Sequence, residues 1–350
     1  MKKVKIKITN KLRLFICVAA GAMALLLGGG CWVFYQYTVK PVVTTPLMVY
    51  VDRNSSVAEV YASLEQGVQT GDLSRLKRLM ELKKYDPAKK PGAYRVDSTM
   101  SVYDVYKMLS AGWQTPVKFT FNNLRTVEQF IQRAAEQLMF TSQELMAVLS
   151  DTARLSALGV TRETLPALFI PDTYEFYWTV SPERFVDRMK KEYDRFWDES
   201  RQKKAAEISL TPVEVATLAS IVEEETNDPE ELSIVAGLYL NRLKRGILLQ
   251  ADPTVRFAVG DFEMRRVLLS HLQIDSPYNT YRYAGLPPGP IRIPSKRSID
   301  AVLNYTRHNY LYMCAKEDFS GKHNFARTLA EHNRNASRYQ AALSARKIFK

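Results

Sequence analysis

From Leu14 to Tyr35 the chain runs twenty-two residues without a charge, and no other feature so narrows what it can become. At about 1.5 Å of rise per residue, such a run crosses the ~30 Å hydrocarbon core of a bilayer as one helix. Ahead of it stand Lys2, Lys3, Lys5, Lys7, Lys11 and Arg13, with no acidic residue between them. Basic flanks stay on the cytoplasmic side. Residues 1–13 therefore read as a cytoplasmic tail, 14–36 as a transmembrane helix, and the remainder as lying outside the cytoplasm. Trp32, Tyr35 and Tyr37 fall where an interfacial aromatic belt belongs. A cleaved signal peptide would show a shorter apolar core and a small-x-small site. A lipoprotein would carry Leu three residues before Cys31, where this chain has Gly28. The expectation is an uncleaved, single-pass anchor.

Beyond the anchor, a chain of 350 residues suits two or three modules. Its net charge of +12 points to an anionic partner: acidic lipid, nucleic acid or a charged wall polymer. Neither a zinc-finger spacing nor an aromatic RNA-binding signature is present, so nucleic acid is not an expected partner. Cys17 and Cys31 fall in the apolar run, which leaves Cys314 alone in the rest of the chain. Neither a disulfide framework nor a cysteine-based metal site is expected.

The fold class expected is α+β. Leu47-Met-Val-Tyr-Val alternates as a strand does, and Ser55-Ser with Glu59 opens a helix. Gly92-Ala-Tyr-Arg-Val and the helix Ser101–Leu109, closed by Gly112, repeat the pattern. Together they define a small module over 47–115, either a binding module or a spacer. A third strand at Val117–Phe121 and a helix from Thr126 begin a connecting α+β region, 116–204, that is amphipathic and helical from Thr141. Its aromatic stretch Leu168–Trp178 suits a core better than a platform on which sugar rings stack.

Chemistry concentrates in one helix of the last region, 205–345. Thr211 caps it, Pro212 takes the first helical position, Glu214 completes a capping box, and Pro229 bounds the other end. Near that end come three consecutive glutamates. At about 100° per residue, Glu225 shares the stripe of Leu218, Ile221 and Val222. Glu224 falls opposite with Thr217 and Ser220, where water would solvate it, and Glu223 lies at the edge. A carboxylate on an apolar stripe must be paired or must hold a proton. So Glu225 reads either as a general acid with a raised pKa or as the partner of an arginine such as Arg242 or Arg256. The downstream loops Asp252-Pro-Thr-Val, Tyr278-Asn-Thr-Tyr and Gly285-Leu-Pro-Pro-Gly-Pro-Ile favour the first reading. Their prolines stiffen the backbone, while Asn279, Thr280 and Tyr281 offer hydrogen bonds suited to a hydroxyl-rich ligand. Neither Gly-x-Ser-x-Gly nor His-Glu-x-x-His occurs, so serine or metallohydrolase chemistry is not expected.

Read in order, these strings resemble the endolytic murein transglycosylase family. They are Pro91-Gly-Ala-Tyr-Arg-Val, Pro171-Asp-Thr-Tyr-Glu-Phe, Ala219-Ser-Ile-Val-Glu-Glu-Glu-Thr, Asn241-Arg-Leu and Leu249-Gln-Ala-Asp-Pro-Thr-Val. Ser276-Pro-Tyr-Asn-Thr-Tyr, Gly285-Leu-Pro-Pro-Gly-Pro-Ile, His323-Asn-Phe and Ala330-Glu-His-Asn complete the set. The resemblance implies an inner-membrane lyase with a LysM-like module ahead of a mainly helical, lysozyme-like catalytic domain whose loop region contains β-structure. It implies internal cleavage of MurNAc–GlcNAc bonds in peptidoglycan, with 1,6-anhydro-MurNAc ends, and peptidoglycan synthases as candidate partners. The catalytic Glu of the family maps onto Glu225, with Glu223 as a supporting group and Asp252, Asn279, Thr280 and Tyr281 as substrate-binding candidates. Neither a metal nor an organic cofactor is required by that chemistry. The chain departs from the family pattern at Glu224, commonly Lys, and at Pro166-Ala-Leu-Phe-Ile, which lacks the usual Glu-Gly pair. The rival readings are a hydrolysing muramidase using Asp252 as second carboxylate, and a wall-binding scaffold without activity.

Overall fold

The uncharged run forms a single helix, α1 (Asn10–Thr38), none of whose residues is buried. Such an apolar, uncovered rod suits lipid on length and composition. The computed structural model describes residues 10–68, 73–264 and 266–346. Lys2, Lys3, Lys5 and Lys7, which carry most of the orientation argument, lie outside the described residues.

The chain divides into two units. The first runs to Val117 and takes back the short segment Glu175–Thr179. After α1 it holds β1 (Leu47–Val51), α2 (Val57–Glu65), α3 (Ser74–Leu82), β2 (Gly92–Val96) and α4 (Val102–Ala111). Strands β1 and β2 pair antiparallel, Leu47 opposite Val96 and Val51 opposite Gly92. Both expected helix starts are capping boxes, Ser56 with Glu59 and Ser101 with Asp104. Gly112 closes α4 at φ 75°, a conformation that costs a glycine little. Helix α3 is an addition to the expected strand–helix pattern; its Leu76 and Met80 join Val49, Val60, Leu64, Tyr94 and Leu109 in the core.

The second unit comprises Lys118–Tyr174 and everything from Val180 onward. The stretch 116–204, expected as a separate connecting region, thus falls mostly within it. Its elements begin with β3 (Val117–Phe121, all but its first residue), α5 (Val127–Gln137), α6 (Ser142–Ser150), α7 (Thr152–Ala157), β4 (Asp172–Phe176, as far as Tyr174), α8 (Pro182–Phe196) and α9 (Glu199–Glu207). There follow α10 (Pro212–Glu225), α11 (Leu232–Lys244), α12 (Asp252–Val259), α13 (Lys296–Leu303), β5 (Tyr312–Ala315), β6 (His323–Ala326) and α14 (Leu329–Ala345). Strands β3 and β4 pair, as do β5 and β6 in an antiparallel hairpin with Tyr312 opposite Ala326. Within the aromatic stretch, Leu168, Phe169, Ile170, Tyr174 and Phe176 are buried, and Phe169 stacks on Phe130 at 3.8 Å. It is core.

At the centre of this unit lies α10. Thr211 caps it and Pro212 opens it, as the sequence predicts. Yet every residue from Val215 to Val222 is buried, because α9, α11, α12 and α13 all pack on the helix. Thr217 and Ser220, read as a wet face, are enclosed and bonded locally. Thr217 donates to the Val213 carbonyl at 2.9 Å and Ser220 to the Thr217 carbonyl at 2.7 Å. The Ser220 hydroxyl also accepts the Ile291 N–H at 3.0 Å, tying the proline-rich loop to α10. Burying Leu218, Ile221 and Val222 contributes about 1.5–3 kcal/mol each and fixes the helix that presents the glutamates.

Candidate active site

Glu225 is the last residue of α10, and Thr226 behind it turns extended, with φ −143° and ψ 138°. The turn aims the Glu225 carboxyl toward α11, where the Tyr239 hydroxyl donates to its Oε1 at 2.6 Å. Both residues line a cleft of about 370 Å³ together with Arg242, Gln250, Asp252, Arg256, Tyr281 and His323. Glu225 is half-buried where it lines the cleft. Burial pushes its carboxyl up from 4.5 to about 7. The Tyr239 hydrogen bond opposes the rise, Asp252 adds to it, and the fields of His323 and Arg256 oppose it again. A carboxyl poised near neutrality can both give and take a proton. The Tyr239 hydroxyl is held well above its ordinary range, chiefly by burial and then by the neighbouring Glu225 charge, so it remains a donor.

The arginine alternative for Glu225 fails on geometry. Arg242 donates from Nε to the Leu311 carbonyl at 2.7 Å and from Nη1 to the carbonyls of Leu248 and Leu249 at 2.9 and 2.8 Å. It holds backbone together. Arg256 faces the cleft and exerts a field on Glu225 without bonding to it.

Glu224 is not solvated. Arg125 grips both its oxygens, at 3.0 and 2.9 Å, and Arg292 reaches Oε1 at 2.7 Å. Its side chain is 12% exposed. Helical phase fails here because distant segments, not water, cover the last turn of α10. Glu223 makes no bond to Glu225: its Oε2 accepts the Ser295 N–H at 2.7 Å, and Arg292 stands 3.3 Å from Oε1. Any support it lends passes through the helix end.

The substrate-binding candidates separate into two pairs. Tyr281 and Asp252 line the cleft, the tyrosine hydroxyl donating to Asp252 Oδ1 at 2.6 Å. Asn279 and Thr280 do not: both are buried, and their polar groups hold the loop. The Asn279 amide donates to the carbonyls of Leu272 and Ile274 at 2.9 and 2.8 Å, and its Oδ1 accepts the Tyr281 N–H. The Thr280 hydroxyl accepts the Ala251 N–H at 3.0 Å and meets Thr254 Oγ1 at 2.8 Å. Both brace the loop that carries Tyr281.

Two groups escape a reading of the sequence. Tyr239 sits among Val235, Ala236, Leu238 and Leu240, and its one signal is a hydroxyl in an apolar stretch of α11. Glu231 gives less, a buried acid in what looks like an ordinary acidic turn after Pro229. Its Oε1 accepts the His323 N–H at 2.7 Å, and its Oε2 lies 2.8 Å from His323 Nδ1 and accepts the Thr226 hydroxyl at 3.1 Å. Among the described residues, no group of three His, Cys, Asp or Glu side chains is placed to hold a metal ion.

A carboxylic acid with a raised pKa beside a tyrosine, a second carboxylate and a histidine, in a polar cleft, defines a site for proton transfer with a hydrophilic substrate. The chain belongs to the YceG-like family, which matches it over residues 49–338. It is similar to an endolytic murein transglycosylase of Bacillus subtilis strain 168, 28% identical over 337 residues that span 90% of this chain and 91% of that one. A protein of the same name from Streptococcus pneumoniae strain D39 is 27% identical over 367 aligned positions, 91% of this chain and 63% of that longer one. In three dimensions it is similar to a YceG-like protein of Listeria monocytogenes, with a TM-score of 0.57 and 26% identity over 83% of this chain and 98% of the other.

Proposed function

We propose that this chain is an endolytic murein transglycosylase: a lyase that cuts peptidoglycan glycan strands internally at MurNAc–GlcNAc bonds and leaves 1,6-anhydro-MurNAc ends. The observation that carries the reading is Glu225, hydrogen-bonded by Tyr239 in a polar cleft with its carboxyl raised to about 7, in a chain whose relatives bear that name. Protonated Glu225 gives its proton to the departing glycosidic oxygen as the sugar becomes oxocarbenium-like. The C6 hydroxyl of the same sugar then closes onto C1 in place of water and loses its proton within the cleft. In the simplest scheme the Glu225 carboxylate receives it, so one residue serves as acid and then base. Asp252 and Tyr281 are the groups we assign to holding the glycan.

In this reading α1 anchors the enzyme in the inner membrane, with the second unit outside the cytoplasm and near peptidoglycan synthases. The first unit acts as a LysM-like module and the second as a lysozyme-like catalytic domain. Incubating detergent-solubilised full-length protein with purified glycan strands, followed by mass spectrometry, tests the reaction. Internal fragments ending in anhydro-MurNAc are expected; release of terminal disaccharides alone would refute the endolytic claim. A second reading has one observation in its favour, the presence of Asp252 in the cleft beside Glu225. As a base activating water, Asp252 would make the enzyme a muramidase, and each new end would then carry an added water.

A further inference from the structure

Four histidines are present, and two of them differ tellingly. His308 is a structural residue with both ring nitrogens engaged, Nε2 with the Ile234 carbonyl at 2.8 Å and Nδ1 accepting the Tyr310 N–H at 3.0 Å. His323 has only Nδ1 engaged, with Glu231 Oε2. Glu231 is 5% exposed, and it is fixed from three directions: by the Thr226 hydroxyl, the His323 N–H and the imidazole itself. An ionised carboxylate can only accept, so the proton of a neutral His323 must sit on Nδ1. That leaves the Nε2 lone pair. Nε2 has no hydrogen-bond partner among the described residues and is not among the enclosed atoms lacking one, while His323 lines the cleft that holds Glu225. The carboxylate that sets this tautomer also accepts the hydroxyl of Thr226, the residue directly after Glu225, so one buried group ties His323 to the end of α10.

We propose that His323, oriented by Glu231, is a second catalytic residue of the reaction: the acceptor of the C6 hydroxyl proton. The inference rests on the transglycosylase reading and redistributes its proton transfers. Glu225 protonates the leaving oxygen as the bond from C1 to that oxygen breaks. The bond from O6 to C1 forms as the O6 proton passes to His323 Nε2. The resulting imidazolium is stabilised by the Glu231 carboxylate, in the manner of a carboxylate–histidine pair in acyl transfer. The imidazolium then returns its proton to the Glu225 carboxylate, so the cycle closes without net gain or loss of protons. Two groups remove the geometric demand that a single carboxyl reach both the leaving oxygen and O6.

The test uses the full-length protein in detergent, with anhydro ends counted by mass spectrometry. His323→Ala should retain its melting temperature within a few degrees and form anhydro ends about 10²–10⁴ times more slowly, the usual worth of a general base. Added imidazole should restore rate to His323→Ala, because the vacated site admits a free base. His323→Gln keeps a donor toward Glu231 but has no titratable nitrogen, so it should lose kcat while KM stays close to that of the wild type. Where the alanine variant fails to fold, the glutamine variant decides alone. A folded variant within a few-fold of the wild-type rate overturns the proposal, and so does a His323→Ala loss that imidazole leaves unrestored. The wild-type products keep the two readings apart. If the unaltered protein makes reducing ends, the transglycosylase reading fails; if it makes anhydro ends and the folded His323 variants make them at a rate within a few-fold of it, only the second catalytic residue is lost.

Discussion

Replacing Glu225 by Gln should make the protein more stable than the wild type, by a margin that grows from about pH 4.5 and is complete just above pH 7. The amide keeps the shape of the side chain and an oxygen to accept the Tyr239 hydroxyl, but it carries no charge at any pH. In the wild type, burial raises the Glu225 carboxyl from 4.5 to about 7. At about 1.4 kcal/mol per tenfold change in proton affinity, ionising it in the folded state costs about 3 kcal/mol more than in the unfolded chain. A folded-state pKa above the unfolded value means the native protein binds more protons between those two points. Wild-type stability therefore holds fully below pH 4.5 and declines as pH rises through 7. The variant has no such decline. Urea melts of both full-length proteins in detergent, followed by tryptophan fluorescence at pH 5 and pH 8.5, give the difference of differences. The variant should gain about 2.5 kcal/mol on the wild type between the two conditions, since a little of the full difference is already lost at pH 5. Curves whose separation is the same at both pH values would mean that Glu225 ionises as an exposed carboxyl does, and the general-acid argument would lose its physical basis.

The same carboxyl governs turnover: kcat/KM for glycan cleavage should fall as pH rises above about 7, and a rate that stays level to pH 9 would exclude Glu225 as the acid. Glu224→Gln should cost about 2–3 kcal/mol in a urea melt, because it leaves Arg125 and Arg292 facing a neutral amide in a largely enclosed site. A loss below about 0.5 kcal/mol would return Glu224 to the solvated face. Asn279→Ala should lower both stability and activity, since two carbonyls and the Tyr281 N–H lose their partner. Direct ligand binding by Asn279 would instead raise KM with the melting temperature unchanged.

Local signals in the sequence carried far. Thr211, Pro212 and Glu214 mark the start of α10, Gly112 marks the end of α4, and alternation marks β1, because caps and pleats depend on neighbours within a few residues. The glutamate triplet shows where such reasoning ends. Glu225 stands out by its stripe, yet α10 is buried on every side, so the stripe does not single it out. What distinguishes Glu225 is Tyr239 on the next helix and Asp252 on the one after. Glu224 is misjudged for the same reason, since its arginines lie 99 residues before it and 68 after. At Asn279 and Thr280 the difficulty is of another kind. A polar side chain in a loop can satisfy its own backbone or face a ligand, and composition does not separate the two.

The last turn of α10 carries three acids and no basic residue, at the end of a helix where the backbone dipole already leaves partial negative charge. Left to itself, that turn would fray. It is held by Arg125 from before α5, by Arg292 from the loop ahead of α13, and by Glu231 and His323 behind Thr226. A nascent chain that has emerged only as far as α10 possesses its acid but not the setting that makes it one. The cutting group thus ripens late, after segments on both sides have docked, and a half-folded or truncated molecule is safe to have near the polymer it would cleave.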